Sequence, residues 1–206
     1  MQRENYTLLC LGDSYTIGEA VEPDERFPMQ AVALLSADEL AFDPPHLIAK
    51  TGWTTDELKQ AIAAENIAEQ YDVVTLLIGV NNQYRNRSIE NYQAEFSELL
   101  NTAIGFCKSG KQGVFVLSIP DWGVTPFALK DSRGEATISE QIKAFNAANK
   151  AIATQAKVHY IDITPGSQKA KQNSLLLAQD GLHPSGLMYS NWAAKLAAGI
   201  HKQLSR

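Results

Sequence analysis

The feature that most limits how this chain can fold is an alternation of short apolar runs with longer amphipathic stretches. Residues 6–11, 45–49, 73–78, 114–118 and 158–163 are rich in β-branched and aliphatic side chains and are predicted strands. Residues 26–41, 54–70, 88–109 and 137–156 carry helical spacing between them, and 185–204 closes the chain with another predicted helix. Strand followed by helix, repeated, implies a parallel sheet with covered faces. A run such as VVTLLI at 73–78 fits burial on both faces, which an exposed antiparallel sheet does not offer. The expected class is α/β with an open, doubly wound sheet. In such sheets ligands bind beyond the carboxyl ends of the strands, so the loops after each strand are where chemistry is sought.

At 206 residues with 45% hydrophobic side chains, the chain suits one compact domain spanning 1–206. A formal charge of −5 gives no basic field for a phosphate backbone, so nucleic acid is not an expected partner. The two cysteines, Cys10 in an apolar run and Cys107 in a helical pattern, form no spaced framework and are expected as buried free thiols. The opening MQRENYTLLCLGDS lacks the apolar core and cleavage site of a signal peptide, and no run reaches membrane-spanning length. The default expectation is a cytoplasmic protein that does not engage membrane. No repeat or linker interrupts the pattern; the longest irregular piece is 119–136.

The segment LLCLGDSYTIGE ends the first predicted strand at Gly12 and presents Ser14 in the turn, where backbone amides can point toward an anion. A lone serine there is more often a turn residue or helix cap. To act as a nucleophile it needs a base, and the base needs a partner that orients it. Three of the four histidines have an aspartate three positions away: Asp43 with His46, His159 with Asp162, and Asp180 with His183. His46 sits at the amino end of the second strand, on the far side of the sheet from Ser14. His159 and Asp162 share one predicted strand at an odd offset, so their side chains point to opposite faces. His201 lies near the end of the last helix, an ordinary solvated position. Asp180 and His183, in QDGLHPSG after the fifth strand, are the pair left to serve Ser14.

With GDSY at 12–15, Gly52 after the second strand, GVNN at 79–82 after the third and DGLHP at 180–184, the chain resembles the SGNH, or GDSL, hydrolases in all four of their blocks. The likeness runs nearly the whole chain, in block order and in placement after successive strands. It implies a flavodoxin-like three-layer α/β/α sandwich with a five-stranded parallel sheet. It also implies ester hydrolysis through an acyl-enzyme on Ser14, with Asp180 and His183 completing a triad. The resemblance further implies an oxyanion hole made by the N–H groups of Ser14 and Gly52 and the side-chain amide of Asn81. Two positions depart from the family pattern. The third block usually reads GxND, and here the aspartate is Asn82, which bears on how Asn81 is held. Tyr15 stands where the family name has leucine.

No metal-ligand spacing is present, and no metal or organic cofactor is expected. Asp13, Tyr15, Trp53, Tyr84, Trp122 and Phe127 are candidates to contact substrate, although aromatics in such loops serve equally well as packing anchors. No long apolar groove is evident, so short-chain acyl or acetyl esters are the expected small-molecule substrates. The competing reading is a flavodoxin-like binder whose SYTIGE loop holds phosphate, or an inactive relative of the hydrolases. Asp13 and Glu19 place negative charge in that loop, and no GxGxxG fingerprint is present. Oligomeric state is not legible.

Overall fold

The computed structural model describes residues 5–205. In chain order its elements are β1 (Leu8–Gly12), α1 (Ser14–Ile17), α2 (Phe27–Ala37), β2 (His46–Ala49), α3 (Thr55–Glu65), β3 (Val73–Leu77), α4 (Val80–Tyr84), α5 (Ile89–Gly105), β4 (Val114–Leu117), α6 (Glu135–Ala156), β5 (His159–Ile161), α7 (Thr164–Ser167) and α8 (Gly186–Leu204). The five strands form one sheet in the order β2-β1-β3-β4-β5, every neighbouring pair parallel. This is the covered parallel sheet that the alternation implied, in the three-layer α/β/α arrangement that the family resemblance implied.

The layers follow from chain handedness. Parallel crossovers are right-handed, so the step from β1 outward to β2 puts α2 on one face, and the steps in the opposite direction put α3, α5 and α6 on the other. α8 then returns to the first face and packs along α2, while α5 packs against α3 and α6. The central strands β1, β3 and β4 are buried along their whole length, and the edge strands β2 and β5 are only partly so. Both cysteines are buried and free. Burial pushes the Cys10 thiol up to about 12, so Cys10 packs as a small hydrophobe within β1. Among the described residues no helix is long and apolar enough to cross a membrane.

Several helices are shorter than the periodicity suggested, each for a local reason. α2 stops at Ala37 because Glu39 adopts φ +65°, and α3 stops at Glu65 because Asn66 turns into the left-handed region at φ +49°. α3 begins with a reciprocal cap between Thr54 and Glu57. The 119–136 stretch holds two short 3-10 turns, Trp122–Val124 and Pro126–Lys130, and α6 starts two residues before its expected position, at Glu135. The strand order reverses direction at β1, so the crevice beyond the carboxyl ends of β1 and β3 is where this topology places a ligand.

Candidate active site

β1 ends in a turn that only glycine can make at position 12. A Cβ on Gly12 would stand 2.1 Å from Thr16 Oγ1 and 2.6 Å from the carbonyl oxygen of Leu77 on the neighbouring strand. The next residue, Asp13, caps α1 by accepting the Tyr15 N–H on Oδ1 at 3.0 Å. Its Oδ2 is buried with no hydrogen-bond partner among the described residues. Burial pushes the Asp13 carboxyl up to about 7, with the Tyr15 N–H opposing it. Ser14 follows as the first residue of α1, 5% exposed, so its N–H has no acceptor inside the helix.

On the loop before α8, Asp180 gathers three donors. Its Oδ1 accepts the N–H groups of Leu182 and His183, each at 2.9 Å, and its Oδ2 accepts His183 Nδ1 at 2.6 Å. Gly181, at φ +68°, supplies the tight turn that lets one carboxylate meet all three. Burial alone would raise the Asp180 pKa, but the His183 ring and the two backbone N–H groups outweigh it and hold the carboxyl below its ordinary range. With the Nδ1 proton committed to Asp180, the neutral imidazole presents Nε2 as an acceptor.

Ser14, Gly52, Asn81 and His183 line one cavity of about 180 Å³, together with Tyr15, Tyr84, Trp122 and Phe127. Thr51, Val80 and Leu182 complete the lining. Sequence reasoning did not single these three out, although each neighbours a residue that it did. Asp13 lies beneath the cavity as the α1 cap, and Trp53 packs against the core; neither is among the lining residues. The remaining histidines lie elsewhere. His46 bonds Tyr71 at the amino end of β2, His159 faces the Gln112 carbonyl, and His201 is in the last turn of α8. A larger groove of about 970 Å³ runs beside α8, and it contains none of the histidines and no serine.

The loop carrying Gly52 is tied down on both sides. Gly52 itself is at φ +86°, its carbonyl accepts Arg85 Nη2 at 2.7 Å, and its N–H has no acceptor among the described residues. The next carbonyl, that of Trp53, accepts Asn81 Nδ2 at 2.9 Å, which leaves the second amide hydrogen of Asn81 uncommitted. Nothing in the spacing of the sequence pointed to Arg85. One wall is aromatic: Trp122 lies 5.6 Å from Tyr84 and 6.0 Å from Phe127 between ring centroids, and its indole N–H donates to Gln83 Oε1 at 2.8 Å. Arg133 backs this wall at 5.6 Å from the Tyr84 ring and 5.5 Å from the Trp122 ring. The Phe127 N–H donates to the Gly181 carbonyl at 3.3 Å, joining the aromatic loop to the Asp180–His183 loop. Among the described residues no three His, Cys, Asp or Glu side chains converge to hold a metal ion.

The sequence profile of the GDSL-like lipase/acylhydrolase family matches residues 10–190. A lipase/acylhydrolase from Enterococcus faecalis shares the fold with a TM-score of 0.71 at 23% identity, over 96% of this chain and 96% of that one. An esterase from Pseudoalteromonas sp., in a structure inhibited by monoethylphosphonate, gives 0.71 at 16% identity over 98% and 100%. An acetylxylan esterase from Geobacillus stearothermophilus gives 0.67 at 19% identity over 100% and 97%. No curated protein matches the sequence. At these identities the structural likeness establishes the fold, and the profile establishes the lineage: the chain belongs to the GDSL-like lipase/acylhydrolase family, whose members are carboxylic ester hydrolases.

Proposed function

We propose that this protein hydrolyses short-chain carboxylic esters through an acyl-enzyme on Ser14. The observation that carries the proposal is the His183 ring, fixed at Nδ1 by Asp180 and opening onto the cavity that Ser14 also lines. In this reading His183 Nε2 takes the Ser14 proton as the hydroxyl attacks the ester carbonyl, then returns it to the leaving alkoxide. Water, activated by the same imidazole, releases the acid and restores Ser14. The N–H of Ser14, the N–H of Gly52 and the free amide hydrogen of Asn81 stabilise the oxyanion, each worth about 3 kcal/mol in a comparable site.

The size of the cavity supports a small acyl group. Its volume of about 180 Å³ falls below the roughly 300–1,000 Å³ of pockets that enclose drug-sized ligands. The Geobacillus relative in fold, an acetylxylan esterase, is consistent with an acetyl ester, and the aromatic wall offers a face for a sugar alcohol. We read residues 1–206 as one hydrolase domain, since the sheet and both helical layers close on a continuous core.

The test is hydrolysis of p-nitrophenyl acetate, butyrate and octanoate by the wild type and by Ser14→Ala. The expected result is a loss of at least about a thousand-fold in Ser14→Ala, with kcat/KM of the wild type falling from acetate to octanoate. Equal rates for the two proteins would remove Ser14 from the mechanism, and a preference for octanoate would remove the short-chain assignment.

A further inference from the structure

We infer that Thr55 and Glu95 are positioning residues for the two loops that carry Gly52 and Asn81, acting through a hydrogen-bond chain of fixed direction that runs from Asn82. This rests on the oxyanion reading of Gly52 and Asn81. Each link in the chain follows from what its atoms can donate. The Thr55 backbone N–H can only donate, so the Asn82 atom facing it, at 3.1 Å, is Oδ1. That fixes the amide, whose Nδ2 donates to Thr55 Oγ1 at 2.6 Å. Having accepted there, the hydroxyl has one proton to give, and it donates to Glu95 Oε2. Glu95 is held in turn by Asn91 Nδ2 at 2.8 Å and by the Arg87 guanidinium at 3.8 Å.

The chain connects elements that nothing in the sequence brings together. Thr55 opens α3, just past the Gly52 loop; Asn82 is in α4, next to Asn81; Glu95 is on α5. The Asn82–Thr55 pair therefore bridges the loop after β2 to the loop after β3, parallel to the bond from Asn81 to the Trp53 carbonyl. Both members are fully buried, so water does not compete for the bridge.

A carboxylate at position 82 would reverse the demand. It would accept the Thr55 N–H and also claim the hydroxyl proton, leaving Glu95 Oε2 against an oxygen lone pair. An amide at 82 and a carboxylate at 95 therefore belong together, and exchanging both together restores a complete chain that runs in the opposite direction.

The experiment is a double-mutant cycle with Asn82→Asp, Glu95→Gln and the two combined, following kcat and KM on p-nitrophenyl acetate and, separately, Tm. Asn82→Asp is expected to lower kcat by about ten- to a hundred-fold with KM within about two-fold, and to lower Tm. Glu95→Gln is expected to cost less, and the double variant to recover both kcat and Tm. Additive losses in the double variant would overturn the proposal, as would recovery of Tm without kcat, which would leave the chain purely structural. If Asn82→Asp does not fold, Thr55→Val against Thr55→Ser carries the same test, with the serine variant expected to keep about ten-fold more activity; equal activity would overturn the proposal. Because Tm reports on the chain without any turnover, a failure of the Ser14 assignment is read from Ser14→Ala alone and stays separate.

Discussion

Asp13 is a carboxylate whose charged form the fold disfavours. It is buried directly below the turn that carries Ser14, with one oxygen capping α1 and the other without a partner among the described residues. Its pKa in the folded protein, about 7, lies above the unfolded aspartate value of about 4, so the native state binds the extra proton between those limits. Stability from this group is therefore present in the acidic part of the window and is lost as pH rises from about 4 to about 7. Asp180 works in the opposite direction: its lowered pKa adds stability above the unfolded value that is lost as pH falls. The prediction is that Asp13→Asn, which imitates the protonated acid, removes part of the fall in unfolding free energy between pH 5 and pH 8, measured by urea denaturation at both. The same slope in the variant would show that Asp13 ionises freely in the folded state. Asp13 stood in the sequence as a candidate for substrate contact. That a carboxylate turns inward to cap a single helical turn depends on backbone angles that a one-letter string does not carry.

The turn from β3 into α4 depends on Gly79 in a way that can be isolated. Gly79 is at φ +131°, and a Cβ there would stand 2.6 Å from the Tyr92 ring and 2.9 Å from the Ile119 side chain. Tyr92 has little room to yield, since its hydroxyl donates to the Ile78 carbonyl at 3.1 Å and accepts from Asn149 Nδ2 at 3.2 Å. Gly79→Ala is expected to destabilise by about 1–3 kcal/mol from overpacking and strain. Gly105→Ala, at the end of α5 with open space around it, is expected to be neutral or slightly stabilising. Chemical denaturation of both variants checks the contrast, and equal midpoints would refute it. The strands were legible because an apolar run buried on both faces has few other solutions, and the helices because their periodicity persists for several turns. Their ends were not all legible: α2 stops where Glu39 takes a left-handed angle that its residue type does not announce, whereas α3 stops at Asn66, a residue type that adopts that angle readily at helix ends. Ser14, Gly52, Asn81 and His183 could be placed on one side of the sheet because each follows a strand. Arg85, Thr55 and Glu95 could not, because their partners are set by how α3, α4 and α5 pack.

Burial across the molecule is graded from the middle of the sheet outward, and stability should follow it. β1, β3 and β4 are buried throughout, whereas β2 and β5 are the outermost strands of the sheet and have partly exposed side chains. Amide hydrogens of β1 and β3 are expected to exchange only through global unfolding, those of β2 and β5 earlier, and those of the loops around the cavity earliest. Exchange measured under native conditions tests this, and protection of β5 equal to that of β1 would contradict the gradient. The same topology orders events in time. Ser14 follows the first strand, while Asp180 and His183 come just before the last helix, which must dock along α2 to bring them near. A growing chain emerging from the ribosome therefore displays its serine well before its imidazole. On the proposed mechanism, hydrolysis switches on only once α8 has been made and has docked, and no truncated product that lacks α8 can attack the esters around it.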